Sequence, residues 1–227
     1  IDIHAHEDHI KGEESDFFTA SCEVRMGVTT KIAGNCGDNY NSFADFCARV
    51  GTHGSPTNYM MFVGQNYLRH LAGADDRYKP STASQLDQMK KDLAALEVYG
   101  PVGLSCGFEY APGVTTDETV ELLGAFEKEG YLTSVHFRSD GADCVKSIDE
   151  LVEIQQRSGY GIQMSHIGSC SAVGYMKSAL ARIDEARDQG VDITSDCYPY
   201  TAFCTGIGTA VFDETSFEKW DYSDLLV

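Results

Sequence analysis

Short apolar segments of strand type alternate strictly with longer amphipathic segments along this chain of 227 residues. Strict alternation predicts consecutive strand, helix, strand units and hence a parallel β-sheet. The predicted strands lie at about residues 1–6, 28–36, 58–66, 102–110, 131–137, 161–167 and 191–198. The predicted helices lie at about residues 14–26, 40–50, 83–99, 116–129, 145–157 and 172–189.

Ionisable and aromatic residues gather where these predicted strands end, and at least four strands contribute them. An open doubly wound sheet binds its ligand mainly at one switch point. A (β/α)8 barrel instead brings the carboxyl ends of all its strands to one rim, where the active site lies. We therefore predict an α/β fold, a TIM-like barrel present as about seven βα units with one strand missing, and keep the open sheet as the alternative.

Charge and hydropathy exclude several classes of partner. The chain has 17 basic and 35 acidic residues, a net charge of −18, and no lysine or arginine cluster that could follow a phosphate backbone. No apolar run approaches the roughly 20 residues of a membrane span, and no signal peptide is recognisable. The eight cysteines lack the spacing of a disulfide framework. We expect a cytoplasmic protein without nucleic-acid or membrane partners, and leave homo-oligomerisation open.

Two histidines, His4 and His6, end the first predicted strand in the run IDIHAH. Side chains two residues apart on a strand project from the same face. Imidazole nitrogen is a common zinc ligand, and catalytic zinc sites keep one coordination position open for water. The alternative, an ordinary surface pair, is less favoured because of the strand context, so we predict that both histidines bind a metal.

Three further candidate ligands end other predicted strands. Cys36 follows the second strand between Gly34 and Gly37, which suits a tight turn close to a ligand. A thiolate is a strong zinc ligand and could bridge two ions. His136 and His166 each close a strand and precede a polar loop. Singly they would be read as structural residues, but together with the first pair they favour a metal site.

Two tyrosines and an arginine are the candidate catalytic and substrate-binding residues. Tyr110 ends the fourth predicted strand and Tyr198 ends the seventh. A phenol at the rim can donate to an oxyanion or to a substrate carbonyl, although an aromatic side chain at a strand end often only packs. Arg138 could bind a substrate carboxylate or a backbone carbonyl. We predict catalytic and substrate-binding roles for both tyrosines and a substrate-binding role for Arg138.

The ordered motifs HAH, GNCG, EYAPG, HFRS, SH and DCYPYT resemble the D-aminoacylase group, the N-acyl-D-amino-acid deacylases of the amidohydrolase superfamily. The resemblance runs from residue 1 to about residue 205. It implies a zinc-dependent barrel with one or two ions, in which Cys36 lies between two metal positions and replaces the carboxylated lysine of many relatives. The implied ligands are His4 and His6 at one position and His136 and His166 at the other.

Two departures from that pattern concern the substrate. The group has a lysine where this chain has Gly168 and a serine where it has Cys204. The resemblance also implies an eighth strand with a catalytic aspartate and a substrate-binding arginine, expected here beyond Val227, and a small β domain before residue 1. We therefore expect residues 1–227 to be one partial amidohydrolase barrel domain, a fragment of a longer chain.

Three functions stay open at this point. The first is a zinc-dependent hydrolase that cleaves the C–N amide bond of a small molecule, most closely an N-acyl-D-amino acid. The second is a cyclic amidase of the dihydroorotase or hydantoinase type, favoured slightly by Gly168 and Cys204 because both remove polar contacts. The third is a non-catalytic barrel scaffold with structural zinc.

Overall fold

The computed structural model describes residues 1–127, 129–171 and 174–213. The strands are β1 (Thr30–Ala33), β2 (Asn58–Met61), β3 (Val63–Gly64), β4 (Gly103–Gly107), β5 (Leu132–His136), β6 (Gly161–Met164) and β7 (Ile193–Ser195). The α-helices are α1 (Ser21–Arg25), α2 (Phe43–His53), α3 (Gln65–Leu71), α4 (Ala83–Leu96), α5 (Thr116–Leu123), α6 (Cys144–Ser158), α7 (Ile167–Cys170) and α8 (Met176–Asp188). Short 3-10 helices span Glu97–Tyr99, Gly141–Asp143 and Ala210–Phe212.

All paired strands are parallel, and they follow one another in chain order. β1 pairs with β2, and β3 to β7 form a second sheet in the order β3-β4-β5-β6-β7. The amide of Val102 donates to the carbonyl of Met61 at 2.8 Å, which links the two sheets. Neighbouring strands therefore follow the order of a barrel wall, and the predicted α/β class with a parallel sheet is confirmed.

The first predicted strand is only partly regular. Residues 1–6 make one isolated parallel bridge, Asp2 to Lys31. Backbone hydrogen bonds from Asp2 to Thr30 at 2.9 Å and from Ala5 to Ile32 at 3.1 Å nevertheless keep this segment beside β1. The segment runs as a strand would, but with few ladder bonds of its own.

Several element boundaries differ from the prediction. The helix expected at residues 14–26 is reduced to α1, because the carboxylate of Asp8 accepts hydrogen bonds from the Thr19 hydroxyl at 2.6 Å and the Ala20 amide at 3.2 Å. Ala20 has a φ of 54°, so the chain turns there instead of continuing a helix. The strand expected at 58–66 divides into β2 and β3, and α3 begins directly after Gly64. Of the helix expected at 172–189, residues 172 and 173 lie outside the described residues.

The core lies between the parallel strands and the helices that cover them. All of β4 is buried, as expected for a parallel strand covered on both faces. Apolar side chains such as Leu104, Ile148 and Leu151 pack between the strands and the helices. Buried polar side chains, including Ser105 and Ser134, lie among the same strands. Among the described residues, each helix is too short or too polar to cross a lipid bilayer.

Candidate metal centre

The carboxyl ends of four strand segments converge on the thiol of Cys36. Its Sγ lies 3.5 Å from Nε2 of His4 and 3.7 Å from Nε2 of His166. The ligand atoms of His4, His6 and Cys36 lie within 4.8 Å of one another, and those of Cys36, His136 and His166 do likewise. The structure thus brings all five predicted ligands together as two groups that share one sulfur.

Local backbone geometry explains how the thiol reaches this point. Cys36 has a φ of 60° and lies between two glycines with positive φ, so the chain makes a tight turn after β1. A Cβ on Gly37 would lie only 2.6 Å from the backbone nitrogen of Gly107 in β4. The turn therefore packs directly on the neighbouring strand. His166 also has a left-handed backbone, with a φ of 37°, at the turn from β6 into α7.

Three of the four imidazoles have a second polar partner. His4 Nδ1 lies 3.5 Å from Oδ2 of Asp196, and His166 Nδ1 lies 2.8 Å from the Ser169 hydroxyl. His136 Nε2 lies 2.9 Å from Oε2 of Glu109. Metal-ligating histidines typically use one ring nitrogen for the metal and the other for such an orienting partner.

The buried position of the thiol would by itself raise its pKa, but interactions with the four surrounding imidazoles outweigh burial and lower the pKa of Cys36 well below its usual value. The lowered pKa favours the thiolate, the form that binds metals. Burial, together with the positive charge of His136, lowers the pKa of His166.

The pKa values of two imidazoles are raised. Burial would lower the pKa of His4, yet hydrogen bonds to Asp196 and Cys36 raise it to about 10. His136 is likewise buried, and its contacts with Cys36 and Glu109 raise its pKa to about 9. The surrounding anions thus favour positive charge at the centre of the cluster, which is the condition for binding a cation.

The donor set fits zinc. Imidazole nitrogen and thiolate sulfur are the ligands that zinc prefers. Nδ1 of His136 is buried and has no hydrogen-bond partner among the described residues. A buried ring nitrogen without a partner costs free energy unless something binds it, and a metal ion in this cluster would do so.

A cavity of about 630 Å³ opens beside the cluster and has the size of a small-molecule site. His6, Cys36, Tyr110, Arg77 and Cys204 are among the residues that line it. A second cavity of about 50 Å³ lies against His136 and His166 and shares Tyr110 and Cys204 with the first. Tyr110 therefore lies between the two cavities and next to the predicted ligands.

The Tyr110 side chain is held in place by two contacts. Its hydroxyl lies 3.0 Å from Oγ1 of Thr205, and its ring centroid lies 4.4 Å from that of His136. Burial raises the pKa of Tyr110, so the phenol keeps its proton at neutral pH. A protonated phenol at this position can donate to an oxygen in the large cavity.

The guanidinium of Arg138 is engaged by other groups in this structure, and its predicted substrate-binding role stays a prediction. Its Nε and Nη2 bind the two carboxylate oxygens of Glu150 at 2.8 and 2.7 Å, and its other donors bind the carbonyls of Pro112 and Val114 at 3.0 and 2.9 Å. The guanidinium also lies 4.9 Å from the ring centroid of Phe108. Arg138 lines neither cavity and instead fastens the loop after β4.

Tyr198 also lines neither cavity. It is partly buried, its ring stacks on Tyr200 with centroids 6.3 Å apart, and its side chain makes a hydrogen bond with Ser169. Burial raises the pKa of Tyr198. Its predicted catalytic role therefore stays a prediction.

Asp196 is the main functional residue that sequence reasoning missed. Besides its contact with His4, its Oδ1 accepts the backbone amide of His166 at 2.6 Å, so one carboxylate orients two predicted ligands. Its position at the end of β7 could have identified it, since Asp196 begins the DCYPYT motif, from which only Tyr198 was selected as a candidate. Ser169 had no comparable signal, because α7 was not predicted.

Comparisons with known proteins agree with this geometry. No protein-family model matches the chain. Over 90% of its length, the chain is 29% identical to an N-acyl-D-glutamate deacylase and 24% identical to a D-aminoacylase, both from Alcaligenes xylosoxydans xylosoxydans. It spans 46% and 47% of those two proteins, so it covers about half the length of the curated relatives it matches.

A solved structure gives the same result. The crystal structure of N-acyl-D-glutamate deacylase from Bordetella bronchiseptica, complexed with zinc and a phosphonate inhibitor, matches 88% of this chain and 47% of that chain, with 26% identity and a TM-score of 0.73. The resemblance to the D-aminoacylase group is confirmed. Over the part that it covers, the chain has the fold of a D-aminoacylase-type amidohydrolase.

Proposed function

We propose that this chain forms the metal-binding part of a zinc-dependent amidohydrolase, which cleaves the C–N amide bond of an N-acyl-D-amino acid. The observation that carries the proposal is the Cys36 sulfur, which lies among four imidazoles and lines a cavity of about 630 Å³. The names of its relatives, N-acyl-D-glutamate deacylase and D-aminoacylase, support the same reaction.

The proposed metal ligands would hold one or two zinc ions, with Cys36 between the two positions. Zinc, when bound there, supplies a water nucleophile at neutral pH and polarises the scissile carbonyl. The proposed ligands are His4, His6, Cys36, His136 and His166. The solved deacylase relative with zinc and a mimic of the tetrahedral intermediate supports this proposal.

Tyr110 is the proposed donor to the substrate oxygen. It lines the cavity beside Cys36, keeps its proton, and is oriented by Thr205. A donor fixed in advance at the point where negative charge develops stabilises the transition state. The expected general acid and base is an aspartate beyond Val227, and no described residue takes that role in the proposal.

Arg77 is a further proposed partner for a substrate carboxylate, beside the predicted Arg138. It lines the large cavity, and its Nη1 donates to the carbonyl of Gly208 at 3.1 Å. Within the described part of the chain, no carboxylate lies within ion-pair distance of Arg77, so its charge is available to an anionic substrate. A small-molecule amide is therefore the proposed partner, while cytoplasmic location and homo-oligomerisation stay predictions.

Metal content and substrate range of the intact protein test this function. We expect bound zinc, hydrolysis of an N-acetyl-D-amino acid in preference to its L-isomer, and loss of activity after treatment with a chelator. Cys36→Ala should lose both metal and activity. The matched control Cys47→Ala, at an exposed thiol in α2, should retain both.

Three results would contradict the proposal. Full activity of metal-stripped protein would exclude a metal-dependent reaction. Hydrolysis of cyclic imides without hydrolysis of N-acyl amino acids would favour a cyclic amidase. Zinc binding without hydrolysis of either substrate class would favour a non-catalytic scaffold.

A further inference from the structure

Asn35 directly precedes Cys36 of the candidate metal centre and is fully buried. Its side chain joins chain segments that are far apart in sequence. Its Nδ2 donates to the carbonyls of Ala5 at 3.2 Å and Ile32 at 3.1 Å, with Ile3 at 3.4 Å. Its Oδ1 accepts the hydroxyl of Ser134 at 2.6 Å. The side-chain amide of Asn35 thus connects residues 1–6, β1 and β5.

The hydrogen bonds continue from Ser134 to β6. The hydroxyls of Ser134 and Ser165 lie 3.2 Å apart, and both side chains are fully buried. Ser134 lies two residues before His136 on β5, and Ser165 directly precedes His166. We call Asn35, Ser134 and Ser165 the polar triad.

Apart from the bond to Ile32, the connections of the polar triad end within two residues of a predicted metal ligand. Ile3 and Ala5 flank His4, Ala5 precedes His6, and Asn35 precedes Cys36. Residues 1–6 make one isolated bridge and a few backbone hydrogen bonds with β1, and the Asn35 side chain adds bonds to this segment. The bonds from Asn35 to the carbonyls of Ile3 and Ala5 therefore help to position both histidines.

We infer that the polar triad is a positioning device, with Asn35 as its hub, that fixes the five ligands relative to one another before a metal binds. This inference rests on the proposed function, since it assumes that the ligands hold zinc. Buried hydrogen bonds in a low-dielectric interior are strong and directional. A metal site loses affinity when its supporting contacts let the ligands move by fractions of an ångström.

A second buried asparagine in the same turn provides a matched control. Asn39 donates through Nδ2 to the carbonyl of Phe62 at 3.1 Å, and its Oδ1 accepts the amide of Gly64 at 2.7 Å. It therefore fastens the turn to β2 and β3, neither of which carries a predicted ligand. Replacing Asn39 removes two buried hydrogen bonds, compared with four for Asn35, without touching the polar triad.

The test measures zinc affinity by chelator competition, and the thiolate-to-cobalt absorption band of the Co²⁺-substituted protein, at a temperature where every variant is folded. For Asn35→Ala we expect zinc affinity to fall about 10-fold or more, with a weaker and shifted cobalt band. Asn39→Ala should stay within about threefold of wild type, although both variants lose thermal stability.

Ser134→Ala is the milder variant and serves if Asn35→Ala fails to fold. Its affinity should fall in the same direction, and in the double variant the two losses should be less than additive because both act through one network. Equal affinities and equal cobalt spectra for Asn35→Ala, Ser134→Ala and Asn39→Ala would overturn the inference alone. A wild-type protein that binds neither zinc nor cobalt would overturn the proposed function together with it.

Discussion

Replacing Arg138 separates its predicted substrate-binding role from the role that the structure gives it. Arg138→Met keeps the aliphatic part of the side chain and removes four hydrogen bonds, two to Glu150 and one each to the carbonyls of Pro112 and Val114. Hydrogen bonds to charged groups contribute roughly 1.5–3 kcal/mol each when buried, but this site is partly exposed and Glu150 keeps its bond from Thr116. We therefore expect the free energy of unfolding to fall by about 2–3 kcal/mol.

Urea denaturation followed by circular dichroism measures this loss, and steady-state kinetics measure KM on the same samples. We expect KM to change less than about twofold, because Arg138 lines neither cavity. Arg157→Met is the control, since this exposed arginine forms surface ion pairs with Asp117 and Glu153 and should cost under about 1 kcal/mol. A tenfold rise in KM for Arg138→Met with unchanged stability would refute the reasoning and support the substrate-binding role.

Three further substitutions test other parts of the structure. Glu118→Gln leaves the buried guanidinium of Arg69 without its carboxylate partner and should lower the free energy of unfolding by about 3–5 kcal/mol in urea denaturation. Burial would raise the pKa of Asp8, but its hydrogen bonds and a neighbouring lysine lower it overall, so its stabilisation is present above the unfolded pKa of about 4 and is lost as pH falls further. Asp8→Asn should therefore reduce the dependence of unfolding temperature on pH in the acid range. Gly107→Ala places a Cβ against the carbonyl oxygen of Cys36 and should weaken zinc affinity at least severalfold in chelator competition.

Each of these variants has a matched control. Glu121→Gln breaks an ion pair that is largely exposed, and should cost under about 1 kcal/mol. Asp87→Asn changes an exposed carboxyl in α4 and should leave the acid dependence intact. Gly51→Ala has no heavy atom within 4 Å of the new Cβ and should leave zinc affinity unchanged. If a control variant changed the measured quantity as much as its test variant, the corresponding explanation would be contradicted.

The sequence was sufficient to predict the convergence of the ligands. Alternating strands and helices imply a parallel sheet whose strand ends meet at one rim, so residues as distant as His4 and His166 could be placed together. The resemblance to the D-aminoacylase group pointed to the same residues. The structure shows why Cys36 reaches them, because its left-handed turn packs against Gly107.

The contacts that depend on distant side chains were not predictable. Arg138 followed a predicted ligand and read as a substrate contact, but its carboxylate partner Glu150 lies twelve residues away on a helix. The turn that replaces most of the helix expected at 14–26 depends on Asp8, whose side chain bonds Thr19 and Ala20. Such bonds override local helix propensity, and no periodic pattern records them.

X-ray absorption at the zinc edge of the purified protein tests the central claim most directly. Coordination by Cys36 and the imidazoles predicts sulfur at about 2.3 Å and nitrogen at about 2.0–2.1 Å from zinc. The sulfur shell should disappear in Cys36→Ala and persist in Cys47→Ala. A zinc environment of oxygen and nitrogen alone in the wild-type protein would contradict the claim.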